Sequence, residues 1–362
     1  MRRPAEAPLG FALVGCGGAA ADLARGIAGV PAARLVAVHD RDPVRAAAVA
    51  ARHGCETRSS LAALLRDPAV DVVAIALPHD RLAPTAVAAL RADHHVLVEK
   101  PGATTARGIR AIRDAAAAAG RSVGVVFELR QVSTVAAATA LVRTGSLGRL
   151  RSVRIRTLID KPADYWSAGP TGAVRDPWRA SLARAGGGVA LMNAIHQLDL
   201  VRAITGLEPL RVAGLTSYGI PGVEVEDVAS ATLEYRDGVL GSLVAAAHAP
   251  GAVEEETIEL DGTDGSVRLG DPYAARPQLR HYHRAATGDA RPAGWLELEP
   301  EPVDPFVATI RAFVGAIRVG RPPSPGLADV DVALATVLAL YRSARTGRFE
   351  RVRPVGPDAG PA

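Results

Sequence analysis

The sequence predicts an α/β protein in two parts, a doubly wound parallel sheet followed by an α+β domain with a large, mostly antiparallel sheet. Three observations carry that expectation. The first third alternates short unbroken apolar runs with alanine-rich helical stretches, its first run ends in a glycine-rich turn, and past about residue 150 the runs lengthen and alternate with polar residues. Runs that are apolar throughout mark strands covered on both faces, whereas alternation marks a sheet with one covered face. The 362 residues, 48% hydrophobic and 22% charged, suffice for about two domains at roughly 150 residues each. The expected division is 1–128 and 129–352, with the Pro/Gly-rich 353–362 as a frayed tail.

Residues 11–14 (FALV) read as the first strand, closed by Gly15, then a helix to about residue 28 and a strand at 34–39 (RLVAVH). A strand, helix and strand of this length form a parallel crossover. Helices at 43–53, 59–65, 81–91 and 105–119 and strands at 71–76 (DVVAIA), 95–99 (HVLVE) and 122–127 continue the pattern. In the second part strands are expected at 151–158, 229–235, 239–248 and 257–260, and helices at 189–204, 305–319 and 328–343. Strands so numerous offer an oligomerisation face.

Composition narrows the function classes. Basic residues number 42 against 38 acidic, a net charge of +4, and the clusters Arg151, Arg154, Arg156 and Arg342, Arg345, Arg348 are broken by apolar residues and lack interleaved aromatics. They read as solvated faces, so no nucleic-acid partner is expected. Only Cys16 and Cys55 occur, which excludes a disulfide framework and points to a reducing compartment. The four-residue apolar stretch after Arg2 and Arg3 is too short for a signal-peptide core, and no run reaches the roughly 18 residues of a membrane span. A cytoplasmic protein with no membrane partner is expected. Among the 42 cations only Lys100 and Lys161 are lysine.

Gly15-Cys16-Gly17-Gly18-Ala19-Ala20 fits G-x-G-x-x-A directly after a strand and at the start of a helix. Gly15 allows the tight turn, Gly17 lets backbone approach a pyrophosphate, and Ala20 packs helix on strand, with the helix N-terminus facing the phosphates. Asp40 stands at the end of the second strand, about 20 residues on, where a carboxylate accepts the adenosine ribose hydroxyls. It would repel the 2′-phosphate of NADP, while Arg41 could attract it or stack on adenine. The reading leans to NAD and leaves NADP open.

Lys100, in Val98-Glu99-Lys100-Pro101, sits at the C-terminal end of a strand and therefore on the ligand edge. Its ammonium can hold a compact charge beside a developing alkoxide or lose a proton. Farther on, Gly186-Gly187-Gly188 opens a helical stretch that puts Met192, Asn193, His196 and Asp199 on one face at three- and four-residue spacing. An amide and a carboxylate one turn either side can orient His196 as a general base. The cluster Tyr165, Trp166, Trp178 and Arg179 suits a substrate lid, or equally a hydrophobic cluster under a long loop, and Lys161 at its start reads equally as a solvated cation. His281 and His283 alternate on a strand without further ligands at metal spacing, so no metal is expected.

These motifs, in this order, resemble the glucose-fructose oxidoreductase/inositol dehydrogenase (Gfo/Idh/MocA) family. The resemblance includes FALVGCGGAA, VAVHDRDP, DVVAIALP, HHVLVEKPGATT, VGVVFELR, GSLGRLRSV, PWRASLARAGGGVALMNAIHQLDL and DPFVATIRAFVGAIRVGRPP. It implies an N-terminal Rossmann domain, a C-terminal α/β domain whose open sheet mediates homodimers or homotetramers, and hydride chemistry on a sugar, cyclitol or nucleotide sugar. Lys100 and His196 would flank the reacting carbon, and Glu99 would lie near the nicotinamide ribose. Leu77, Pro78 and His79 would line the cofactor, and Arg130 would reach the substrate. Two motifs depart from the family pattern. Met192 replaces the Asp or Asn often found four residues before the histidine, with Asn193 next to it, and His79 and Leu82 replace the asparagine and histidine of P-N-x-x-H. Three function classes follow: a net NAD(P)-dependent dehydrogenase or reductase, an NAD-retaining glycosidase or lyase that oxidises transiently, and a non-catalytic dinucleotide sensor.

Overall fold

The structure, a computed structural model, describes residues 7–356 except 163, 170–171, 173–174, 253–254, 275, 277 and 285–292. In the first part, strands β1 (Leu9–Val14), β2 (Ala33–His39), β3 (Glu56–Thr57), β4 (Val72–Ile75), β5 (His95–Glu99) and β6 (Val123–Val126) alternate with helices α1 (Ala20–Ala28), α2 (Pro43–His53), α3 (Leu61–Leu64), α4 (His79–Arg91) and α5 (Ala106–Ala119). The sheet is parallel in the order β3-β2-β1-β4-β5-β6. Chain direction across the sheet reverses between β1 and β4, and the crevice at that switch point is where such sheets bind ligands.

The helices begin where side chains can cap them. Asp42 accepts from Val44 N at the start of α2, Ser60 from Ala63 N before α3, and Thr105 from Gly108 N before α5. Ser60 as cap shortens the helix expected at 59–65. Along β1 the side chains divide between two cores. Phe11 and Leu13 pack with Leu23 and Ile27 of α1, and Ala12 and Val14 with Leu82 of α4 and Ile109 of α5.

The second part begins with α6 (Ser133–Arg143) and holds β7 (Leu150–Leu158), α7 (Tyr165–Ala168), α8 (Leu182–Ala185), α9 (Ile195–Thr205), and β8 (Pro209–Ser217) to β14, through β9 (Val228–Tyr235), β10 (Leu240–Ala246), β11 (Glu255–Gly262), β12 (Gly265–Leu269), β13 (Leu279–His283) and β14 (Gly294–Leu298). Helices α10 (Pro305–Arg318) and α11 (Leu327–Thr346) and strand β15 (Glu350–Arg351) close the chain. The nine strands run β14-β13-β12-β11-β7-β10-β9-β8-β15, antiparallel except for β10 beside β7. One face packs on α9 and α11, and the other exposes Leu215, Leu240 and Val244.

Ile310, Phe313 and Val314 of α10, from the second part of the chain, complete the core on the α1 side of the first sheet. Two expectations need correction. The start of the tail is tied down: Val355 is buried, Val355 N and Gly356 N donate to Asp331, and Arg113 donates to Gly356 O. Residues 357–362 lie outside the described ones. Residues 190–194 wind as one turn of π-helix before α9, where an unbroken α-helix was expected.

Candidate active site

Gly15 ends β1 at φ +93°, and a Cβ there would lie 2.2 Å from Ala76 O. Only glycine lets the chain turn this close to the end of β4. The turn leads into α1, whose first N–H groups receive no side-chain cap and are available to an anion. Gly15, Gly17, Gly18 and Ala19 form one wall of a cleft of about 540 Å³ that also meets Asp40, Arg41, Leu77, Pro78, His79, Glu99 and Lys100. That volume and the uncapped turn fit a nicotinamide dinucleotide. The Cys16 side chain is buried beside Leu23 and Val38, and the residue acts through its N–H, which donates to Asp40 Oδ2 at 2.8 Å.

Asp40 is more heavily engaged than expected. Besides Cys16 N it accepts Asp42 N at 2.8 Å and Arg45 Nη2 at 2.7 Å. Burial alone would raise its pKa, but the bonds from Arg45, Asp42 and Cys16 outweigh burial and hold it below the ordinary carboxylate value. Arg41 reaches across the cleft, Nη2 to Asp176 Oδ2 at 2.7 Å, and Arg184 Nη1 meets Asp176 Oδ1 at 2.5 Å. Asp176 also accepts Trp178 N at 3.2 Å.

At the other end stand Glu99, Lys100, Glu128 and His196. Glu99 and Lys100 emerge from β5 into the cleft, and Lys100 Nζ donates to the Met192 carbonyl, on the π-helical turn. Such turns recur at functional sites because they re-aim backbone groups. Burial and the charge of Glu128 push Glu99 up to about 8, against the pull of Lys100. Burial pushes Glu128 up to about 7. Lys100 is lowered by burial, opposed by Glu99, Glu128 and Glu256, and lowered further by the charge of Lys161. His196 is buried, and burial plus the charge of Lys100 hold it well below its ordinary value. Its Nδ1 has no hydrogen-bond partner among the described residues, and its ring meets Phe127 edge-on at 5.7 Å.

The triple glycine has a packing reason. A Cβ at Gly187 would lie 2.1 Å from the Tyr341 hydroxyl, and one at Gly188 would lie 1.8 Å from Glu226 O. Buried Glu226 accepts Gly188 N at 2.7 Å, Ala190 N at 3.0 Å and the Tyr341 hydroxyl at 2.7 Å, which pins the entry to the π turn.

Not every expected residue reaches the cleft. Asp199 does not orient His196, since both its oxygens are held by Arg130, at 2.6 Å and 2.5 Å. Arg130 also pairs with Asp329 at 3.0 Å, so it is a buried clamp and forms no part of the cleft wall. Met192, Asn193, His196 and Tyr165 are likewise absent from that wall. Asn193 is half-buried with no side-chain hydrogen bond among the described residues, and the Tyr165 hydroxyl points to Met192 Sδ at 3.8 Å.

The aromatic loop packs into the fold and borders the cleft. Tyr165, Trp166 and Trp178 are buried, yet Trp178 and Arg179 face the cleft, with the guanidinium 4.4 Å above the Trp178 ring. Lys161 lies 5.1 Å above the Tyr165 ring. His79 is locked between Ala185 O, at 2.8 Å, and Trp178, and burial drives it down to about 3. Among the described residues no group of three His, Cys, Asp or Glu is placed to hold a metal, and no helix is long and apolar enough to cross a membrane. Arg45, Asp176, Arg184 and Glu128 went unnoticed in the sequence. Glu128 could have been found, because it directly follows a strand on the ligand edge.

Residues 9–127 match the family described as oxidoreductase family, NAD-binding Rossmann fold, and residues 135–268 match its GFO/IDH/MocA C-terminal domain. Levoglucosan dehydrogenase of Pseudarthrobacter phenanthrenivorans is 29% identical over 340 residues, spanning 83% of this chain and 84% of that protein. Inositol 2-dehydrogenase of Rhizobium meliloti is 27% identical over 341 residues, spanning 92% and 96%. A solved levoglucosan dehydrogenase complexed with NADH and levoglucosan superposes with a TM-score of 0.86 at 26% identity, over 95% of this chain and 99% of that one. The chain belongs to the Gfo/Idh/MocA family of oxidoreductases, with an NAD-binding Rossmann fold as its N-terminal part.

Proposed function

We propose that this protein is an NAD(P)-dependent oxidoreductase that moves a hydride between the nicotinamide and a secondary alcohol or ketone of a sugar, cyclitol or related polyol. The observation that carries the reading is Lys100, which lines the same cleft as the glycine turn and donates to the Met192 carbonyl, four residues before His196. A bound nicotinamide supplies the hydride acceptor or donor. The chain's own residues handle the proton. Lys100 on the cleft wall would stabilise the alkoxide oxygen, and His196, which lies behind that wall and is held neutral, would accept the hydroxyl proton of a substrate that reaches past Lys100. In the reductive direction the same two groups return the proton. Trp178 and Arg179 offer a stacking face and hydrogen-bond donors to a polyol, and Asn193, Met192 and Tyr165 would support the substrate from behind Lys100. The exposed Leu215, Leu240 and Val244 support a homodimer or homotetramer formed through the nine-stranded sheet, and two free cysteines suit a cytoplasmic address.

The test is absorbance at 340 nm with NAD or NADP and a panel of inositols, aldoses, anhydrosugars and nucleotide sugars. NADH or NADPH accumulating with one substrate supports the proposal. Substrate turnover with no absorbance change would select the NAD-retaining lyase or glycosidase instead, and dinucleotide binding with no turnover across the panel would select the sensor.

A further inference from the structure

At the adenosine end, two guanidinium groups stand where a 2′-phosphate on the ribose would look for partners, and each is already matched by a carboxylate. Arg45 is held by Asp40 at 2.7 Å. Arg41 is held by Asp176, which comes from the loop before α8, 135 positions away in sequence, and which also lines the cleft. We infer that Asp176 is a specificity residue for the cofactor, occupying Arg41 so that the cleft favours NAD over NADP. Asp176 acts through Arg41 and is a positioning residue.

Four features support it. Asp176 is buried while Arg41 is 70% exposed, so the guanidinium is the mobile partner and the carboxylate the fixed one. Arg184 and Arg41 keep Asp176 ionised, below the ordinary carboxylate range. Asp176 is anchored by its own backbone, with its N–H on Ser167 O at 2.8 Å, and it caps the turn that carries Trp178. Finally, the charge of Asp40 is itself offset by Arg45 at 2.7 Å, which weakens its repulsion of a phosphate. A 2′-phosphate brings a charge of about −1.5 to −2 and would have to pull Arg41 from Asp176, leaving a buried carboxylate with one partner fewer.

The inference rests on the dinucleotide reading of the cleft and not on which sugar reacts. Its test needs no sugar: calorimetric binding of adenosine 2′,5′-bisphosphate and of 5′-AMP. In Asp176→Asn, which keeps an oxygen to cap Trp178 N, affinity for the bisphosphate should rise about tenfold while 5′-AMP stays within about twofold. Arg184 still has Asp80 at 3.7 Å, so Arg41→Ala added to Asp176→Asn should erase the gain. Arg41→Ala alone, a variant that leaves the loop intact, should change bisphosphate affinity less than about twofold. An unchanged ratio in Asp176→Asn, a gain surviving the double variant, or a tenfold loss in Arg41→Ala alone would each overturn the inference. If the sugar panel fails, these nucleotide titrations still read out.

Discussion

The two ends of one cleft treat charge in opposite ways. At the adenosine end, Asp40 and Asp176 are surrounded by donors and sit below the ordinary carboxylate value, so they stay ionised. At the reaction end, Glu99 and Glu128 are pushed up to about 8 and about 7, while His79, His196 and Lys100 are all lowered. The difference is pairing. Asp40 and Asp176 near the rim are ion-paired with Arg45, Arg41 and Arg184, whereas burial favours the neutral forms of the groups in the pocket around Lys100.

Breaking the pocket should cost most. Lys100→Met should lower kcat toward the top of the about 10²- to 10⁴-fold range of proton-transfer catalysis, with NAD affinity, read by fluorescence titration, within about threefold of the parent. Weakened NAD binding with normal kcat would move Lys100 to the rim. Arg130→Ala strands Asp199 as a buried charge and should remove about 3 to 5 kcal/mol of stability in urea unfolding, and a raised KM without destabilisation would restore Arg130 as a substrate contact. His196→Ala should reduce kcat by about 10²-fold, and retention of activity within about threefold would shift the base role elsewhere.

The smallest effect concerns pH. Glu99 rises from 4.5 to about 8 on folding, so the folded chain holds this proton more tightly than the unfolded one. The associated stability is complete below about pH 4.5 and is lost as pH climbs toward about 8. Asp40 works in the other direction, contributing above 3.8 and losing its contribution as pH falls. In Glu99→Gln, Tm should therefore decline less than in the parent between pH 4.5 and 8. Equal slopes would mean that Glu99 is already solvated.

The rim and the pocket also differ in how far they could be read from the sequence. The Gly15 turn, Asp40 at the end of β2 and Lys100 at the end of β5 follow from local pattern, because a strand end on the ligand edge is set by its own few residues. Asp199 misled for a physical reason. Helical spacing put it one turn from His196, but spacing cannot show that Arg130, 69 positions earlier, takes both of its oxygens. The π turn likewise escaped a 3.6-residue period, and with it the role of the Met192 carbonyl.

Periodicity and turn chemistry by themselves determined the class of fold and the order of the helices and strands of the first part, since these depend on short-range steric preference, and motifs of a few residues carried the resemblance to the family, whereas α6, β8, β12, β14 and β15 of the second part were not read from the sequence. Only the tertiary structure decided that α10 returns to finish the first domain's core, that Lys100 meets the Met192 carbonyl, and that Asp176 reaches Arg41. Those pairings join distant stretches of chain, and which of them form depends on burial and desolvation, which exist only after the whole chain has packed.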